Sequence, residues 1–314
     1  MNGLRYLSDA LDAREAFALR GRENQGEALH DFRVALRRLR TTVGVYAEHS
    51  RTTIGARHIR RLKKLARATG DARDAELFVQ WLAKRRSRID AANVVGEVRL
   101  LHRLEVERRR AYRRIGQKVL PEFASFAEEM SERLVRFGER LSADSQRQRE
   151  LDTLLRTHAK HALRALRTHL HRATTIDNKR DAHKARIAAK HLRYLLEPRA
   201  EASSGGRALL RTLRSVQDRL GKLRDLQLIV AMLLKRADPT ARRLQLRAQR
   251  EATRAFGEFR VRFLRRQFDA ALSRELKTLL SRKADALLAR ENRRRPHVAV
   301  QRELRDRGSR GPRS

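Results

Sequence analysis

Cysteine is absent from this chain of 314 residues, which excludes disulfides, thiolate catalysis and any zinc or iron–sulfur site built on sulfur. Aromatic residues are scarce, at 5%, and show no interleaving with basic residues that would make a platform for stacked single-stranded bases. Long apolar runs are also missing. No stretch of about 18 residues could span a bilayer, and the first residues do not resemble the apolar core of a signal peptide. A soluble, cytoplasmic protein without membrane contact is expected. Proline and glycine number only 5 and 15, so helix breakers are rare, with one break expected in the region before Pro121. Acidic residues number 37 against 75 Lys and Arg.

Leu, Ala, Arg and Glu fill long uninterrupted stretches in which apolar residues recur at i, i+3, i+4 and i+7, with no convincing alternating strand pattern. The expected fold class is all-α. Apolar residues make up 40% and run along the whole length, enough for one large or two medium domains to bury a core. The formal net charge is +38, carried by 63 Arg and 12 Lys. A genome rich in G and C would favour Arg over Lys, but it does not explain the excess of cations over anions. Self-repulsion on this scale destabilises a compact state unless counterions or a polyanion screen it, so a polyanionic partner is the first hypothesis. Arginine suits phosphate, because its planar fork donates two parallel hydrogen bonds and stays charged at any working pH.

Two stretches carry a shared pattern. "HDFRVALRRLRTTVGVY" (30–46) and "HKARIAAKHLRY" (183–194) each place a basic residue at +3, +7 and +10 from a histidine. The first row is His30, Arg33, Arg37 and Arg40; the second is His183, Arg186, Lys190 and Arg193. With a turn of about 100° per residue, each row occupies a stripe about 80° wide. Phe32, Leu36, Leu39 and Val43 form a separate apolar stripe, matched in the second helix by Leu192 and Leu196, with Tyr194 beside the row. A solvated helix face usually mixes signs in i, i+4 ion pairs. A row of one sign repels itself and is stable when a line of negative charge lies against it.

Residues 60–78, "RRLKKLARATGDARDAELF", and 211–229, "RTLRSVQDRLGKLRDLQLI", follow the two histidine helices at similar distances. Aligning Gly70 with Gly221 sets Arg60 opposite Arg211, Lys63 opposite Arg214, Arg73 opposite Arg224 and Asp74 opposite Asp225. Lys64 meets Ser215, and Arg67 meets Asp218, which departs from a purely basic surface. Shared order and spacing imply a duplicated helical bundle, with halves at 1–145 and 146–290. The remainder, 291–314, has eight arginines, three acids and little apolar periodicity, and reads as a basic, disordered tail. Gly70 and Gly221 read as left-handed residues that end helices. Asp74 and Asp225 then fall in the first turn of the next helix, where they favour its N-terminus and can orient Arg73 and Arg224 toward the rows.

These segments, "HDFRVALRRLR", "HKARIAAKHLRYLLE" and "LGKLRDLQLI", resemble the CHAD family, an α-helical domain named for its histidines. The resemblance covers residues 1–290 and implies two four-helix bundles related by a pseudo-twofold axis, their basic helices lining a shared groove or central channel. It further implies binding of inorganic polyphosphate, with sulfate or phosphate able to take its place, and association with polyphosphate granules and their proteins. Carried over position by position, the ligand set is His30, Arg33, Arg37, Arg40, Arg60, Lys63, Arg73, His183, Arg186, Lys190, Arg193, Arg211, Arg214 and Arg224. Some members are fused to a triphosphate-hydrolysing β-barrel domain. The nearest match here to its Glu-x-Glu-x-Lys signature, Glu105-Val-Glu107-Arg108-Arg109, lies in a helical segment with Arg in place of Lys.

No grouped carboxylates suited to magnesium and no glycine-rich phosphate loop are visible, so neither catalysis nor a cofactor is expected. His158 and His161 have metal-ligand spacing but no nearby carboxylate. The alternative reading is a basic helical protein that binds nucleic acid nonspecifically, and the tail alone could bind nucleic acid weakly.

Overall fold

A computed structural model describes residues 2–19, 25–50, 52–85, 94–200, 204–236, 239–263 and 266–280. Its elements are α1 (Asn2–Leu19), α2 (Gln25–His49), α3 (Ala56–Ala68), α4 (Gly70–Ala83), α5 (Val94–Arg114), a π-helical turn (Ile115–Val119), α6 (Leu120–Ser142), α7 (Ser145–Arg172), α8 (Lys179–Ala200), α9 (Ser204–Leu234), α10 (Pro239–Phe263) and α11 (Arg266–Leu279). No strand occurs among the described residues, and the fold class is all-α. The expected tail, 291–314, lies outside the described residues.

The apolar stripes read from the periodicity are the buried ones. On α2, Phe32, Leu36, Leu39 and Val43 are buried, and on α8 so are Leu192 and Leu196. Tyr194 is buried with them and belongs to the core, not to the surface beside the basic row. Four alanines on α8 (Ala182, Ala185, Ala188 and Ala189) are buried as well, and their small side chains let this helix lie close to its neighbour.

The chain divides into two compact units between Leu154 and Leu155, inside α7. In the first, α1 lies along α2, α2 also meets α3 and α4, α5 packs on α4, and α6 packs on α1 and α3. Its core is tied by an edge-to-face pair, Phe32 with Phe123, at 5.0 Å between centroids, and by Tyr46 stacked on Phe137 at 4.5 Å. Such pairs contribute about 0.5–1.5 kcal/mol each beyond their burial. In the second unit α9 is central, with α8, α10 and α11 packed against it.

Three punctuation residues behave differently from their local signals. A break is expected before Pro121, yet the backbone continues from α5 through the π turn into α6. Proline has no N–H to donate and its ring strikes the carbonyl four residues back. The widened turn, in which the Leu120 N–H reaches the Ile115 carbonyl, accommodates it. Gly70 and Gly221 are not left-handed helix ends, because no glycine among the described residues has positive φ. Gly70 opens α4, and the residue between the helices is Thr69 (φ −89°, ψ 4°). Gly221 lies in the middle of α9.

Candidate anion-binding rows

In the first unit, the α2 row places His30 on the surface and leaves Arg33, Arg37 and Arg40 half-buried. Arg33 has a local task. Its Nη1 donates to the Ala66 carbonyl at 3.4 Å and also to the Thr69 hydroxyl. Thr69 in turn donates to the same Ala66 carbonyl, at 2.9 Å. A guanidinium at the C-terminal end of α3 satisfies carbonyls that the helix leaves unbonded and complements its dipole. This contact brings the basic rows of α2 and α3 together.

The Lys and Arg side chains of α3 spread over an arc of about 160° opposite buried Leu62 and Leu65, and acids on α6 sort them into two flanks. With Arg60 at 0°, Lys64, Arg57 and Arg61 lie at about 40°, 60° and 100°, while Arg67 and Lys63 lie at about 340° and 300°. On the first flank Lys64 reaches Glu122 at 3.0 Å. Arg57 and Arg61 each reach Glu129 at 2.7 Å, where buried His58 (3.1 Å) and Arg133 (3.2 Å) join them. His58, Arg57 and Arg133 hold the Glu129 carboxyl below its ordinary pKa of 4.5, and its hydrogen bond to His58 is the largest cause. On the other flank, exposed Arg60, Lys63 and Arg67 form no ion pair among the described residues. Arg73 is half-buried on α4 and acts electrostatically on Tyr112, beside the network in which Glu76 accepts the Tyr112 hydroxyl (2.5 Å) and Arg108 (3.2 Å). Burial and the Glu76 hydrogen bond push the Tyr112 phenol well up.

In the second unit, packing of α8 on α9 gathers four of the expected residues. Half-buried His183 is surrounded by Arg186 and Lys190 from its own helix and Arg224 from α9. Burial first, then these three cations, push its imidazole below the ordinary 6.5, so it is neutral at neutral pH. Its Nδ1 is buried without a hydrogen-bond partner among the described residues. Arg186 crosses α9 at Gly221, where a Cβ would sit 3.8 Å from the guanidinium Nε. The Gln217 side-chain amide donates to the Ala189 carbonyl (3.1 Å), pinning the two helices one turn away. Sequence reasoning passed over Gln217, whose only local signal is a polar residue on the buried side of α9.

Two members of the second row set differ from their counterparts. Arg193 pairs with Glu197 on its own helix at 3.3 Å, and the Glu197 side chain is only 4% exposed. Its guanidinium also lies 4.9 Å over the Tyr194 ring. That charge is therefore offset inside the helix, and the signal, an acid four residues on, was readable in "HLRYLLE". On α9, Arg214 lies about 20° from Gly221 round the helix and Arg211 about 80°, so Arg214 shares the face that Arg186 crosses and Arg211 turns away from it. Both are exposed, as is Asp218. His158 meets His191 edge to face, and no group of three or more metal-ligating side chains occurs among the described residues. Glu105 and Glu107 lie on α5, as a helical segment requires. Among the described residues no helix is long and apolar enough to cross a membrane.

The fold and these rows define an all-helical protein that displays cations of one sign on paired, packed helices. The chain belongs to the CHAD domain family, whose family model matches residues 3–234. That match ends with α9, short of the span to 290 expected from the sequence, so α10 and α11 lie beyond it. A crystal structure of the CHAD domain from the plant Ricinus communis is similar at 22% identity, with a TM-score of 0.57, over 87% of this chain and 88% of that one. This likeness shows the fold. No curated protein matches the chain.

Proposed function

We propose that this protein binds inorganic polyphosphate without transforming it, through the rows on α2, α3 and α4 in one unit and on α8 and α9 in the other. Binding of this kind would carry the protein to polyphosphate granules. The CHAD family is associated with polyphosphate in general, and neither comparison points to an enzyme family. The observation that carries the reading is the sorting of charge on α3: acids of α6 offset one flank and leave Arg60, Lys63 and Arg67 as a track of one sign. Polyphosphate is a flexible chain with about one negative charge per phosphate and no bases, so it needs cations in series and no stacking surface. Counterion release drives such binding, and each engaged cation steepens the dependence of log affinity on log salt by about 0.7.

Adjacent lysines test this. Lys63→Ala should make the salt dependence for long-chain polyphosphate shallower by about 0.7, whereas Lys64→Ala, which removes a group already held by Glu122, should leave it nearly unchanged. Equal effects would refute the sorting argument. Displacement of polyphosphate by duplex DNA at equal phosphate concentration would favour a nucleic-acid role instead. Phosphate release from polyphosphate with magnesium or manganese would overturn the non-catalytic reading.

A further inference from the structure

We propose that the outer face of α5 is a second polyphosphate-binding track, distinct from the rows on α2 and α3. With His102 at 0°, Arg109, Arg113, Arg99, Arg110 and Arg103 fall at about 340°, 20°, 60°, 80° and 100°. All six are exposed. From Arg99 to Arg113 the stripe is about 21 Å long at the helical rise. It stands opposite the buried side of the helix, where Leu100, Leu104 and Ala111 pack toward the core. Val106, at about 40°, is the one aliphatic side chain inside it between Arg99 and Arg113.

The acids of α5 do not offset this stripe. Glu97 is buried, while Glu105 at about 300°, paired with Arg108 at 2.7 Å, and Glu107 at about 140° each lie about 40° beyond an edge of the stripe. Arg99, Arg103, Arg110 and Arg113 form no ion pair among the described residues. The next helix shows what an ordinary solvated face in this unit looks like. On α6, exposed Arg136 pairs with exposed Glu132 at i, i+4. Helix α5 has like charges at that spacing along the stripe, Arg99 with Arg103 and Arg109 with Arg113, although Glu107 and Glu105 stand at i, i+4 from Arg103 and Arg109. Like charges so placed weaken a helix unless anions lie along them.

Inorganic polyphosphate fits better than nucleic acid. The stripe contains no Phe, Tyr or Trp ring on which a base could stack, since Tyr112 is buried and bonded to Glu76, and its one imidazole, His102, is a small platform. It also lacks the Asn, Gln, Ser and Thr side chains that pair with base edges. Exposed Val95 and Val98, one turn ahead of Arg99 and His102, bound the track with apolar surface.

The inference takes its ligand from the proposed function but does not require the rows to bind. In the full-length chain, Arg99, Arg103, Arg110 and Arg113 are replaced together by Gln, with circular dichroism to confirm the fold. Affinities for polyphosphate and for duplex DNA are then measured across a salt series, in this variant and in a Lys63→Glu/Lys190→Glu variant. The quadruple variant should lose about 3 from the log–log salt slope, four cations at about 0.7 each. The row variant should keep a salt-sensitive, weaker binding that disappears when the two sets are combined. An unchanged slope and affinity in the quadruple variant would overturn the α5 track while leaving the rows intact. Loss in the quadruple variant with none in the row variant would sink the proposed rows and support α5. Loss of duplex DNA binding alone would make α5 a nucleic-acid surface and overturn the proposal.

Discussion

Replacing Gly221 by Ala separates two accounts of one residue. If Gly221 ended a helix in the left-handed region, a Cβ there would be strained and the substitution would cost stability. In the structure it lies within α9, far from either end, and its φ is not positive. The nearest atom that a new Cβ would meet is Arg186 Nε at 3.8 Å, ordinary van der Waals contact with the side of a flexible group. No steric term therefore opposes the gain in helix propensity, which is about 0.8–1 kcal/mol for Gly to Ala in a helix interior. Part of that gain comes from reduced freedom of the unfolded chain. For units of this size about 1 kcal/mol raises Tm by about 2–4 °C, readable by thermal melting followed at a helical circular-dichroism band. Gly70→Ala, at the first position of α4 with nothing within 4 Å, should give a smaller rise. A fall in Tm for Gly221→Ala would refute the reasoning, for it would mean that the bare glycine backbone, not merely an open space, is needed where Arg186 crosses.

Other consequences can be measured directly. Phosphate beside His183 favours the imidazolium that Arg186, Lys190 and Arg224 now oppose, so polyphosphate binding should take up a proton and tighten as pH falls, by at most tenfold per pH unit. His183→Gln should remove that share of the profile, and an identical profile in the variant would exclude the residue. Without ligand the sign for stability is opposite: the unfolded imidazole protonates first, so stability falls as pH drops from 6.5 to the lowered folded value and then levels. Glu129→Gln should cost about 1–3 kcal/mol near neutrality by loosening the α3–α6 contact. Because the native carboxyl has a lowered pKa, its stabilisation is present above 4.5 and is lost as pH falls through the folded value, so wild type and variant should converge in acid urea melts. Arg33→Met should cost about 1–2 kcal/mol, since the Ala66 carbonyl loses its guanidinium donor, and a thermal melt within error of wild type would contradict that role.

Much of the fold and of the candidate rows was legible because it is set by local geometry. A turn of about 100° per residue fixes which side chains share a face, so Phe32, Leu36, Leu39 and Val43 could be assigned to the core and His30, Arg33, Arg37 and Arg40 to another stripe without coordinates. The acid at Glu197 was equally local, four residues beyond Arg193. Gly221 was misread because glycine signals left-handed backbone and close packing alike, and the sequence does not say which applies. Pro121 was misread because a widened turn can absorb a residue that otherwise interrupts a helix.

The order of residues alone determined that this chain is helical, that its cations lie in rows, and that those rows stand apart from its apolar stripes, since each follows from near-neighbour spacing. Only the tertiary structure decided which cations of α3 are offset. Lys64 meets Glu122 and Arg61 meets Glu129 across 58 and 68 residues of chain, while Lys63, next to Lys64, faces away. Arg224 likewise reaches His183 only because α8 packs on α9. Coulomb interaction depends on distance in space, and periodicity within one helix carries no information about what another helix brings beside it.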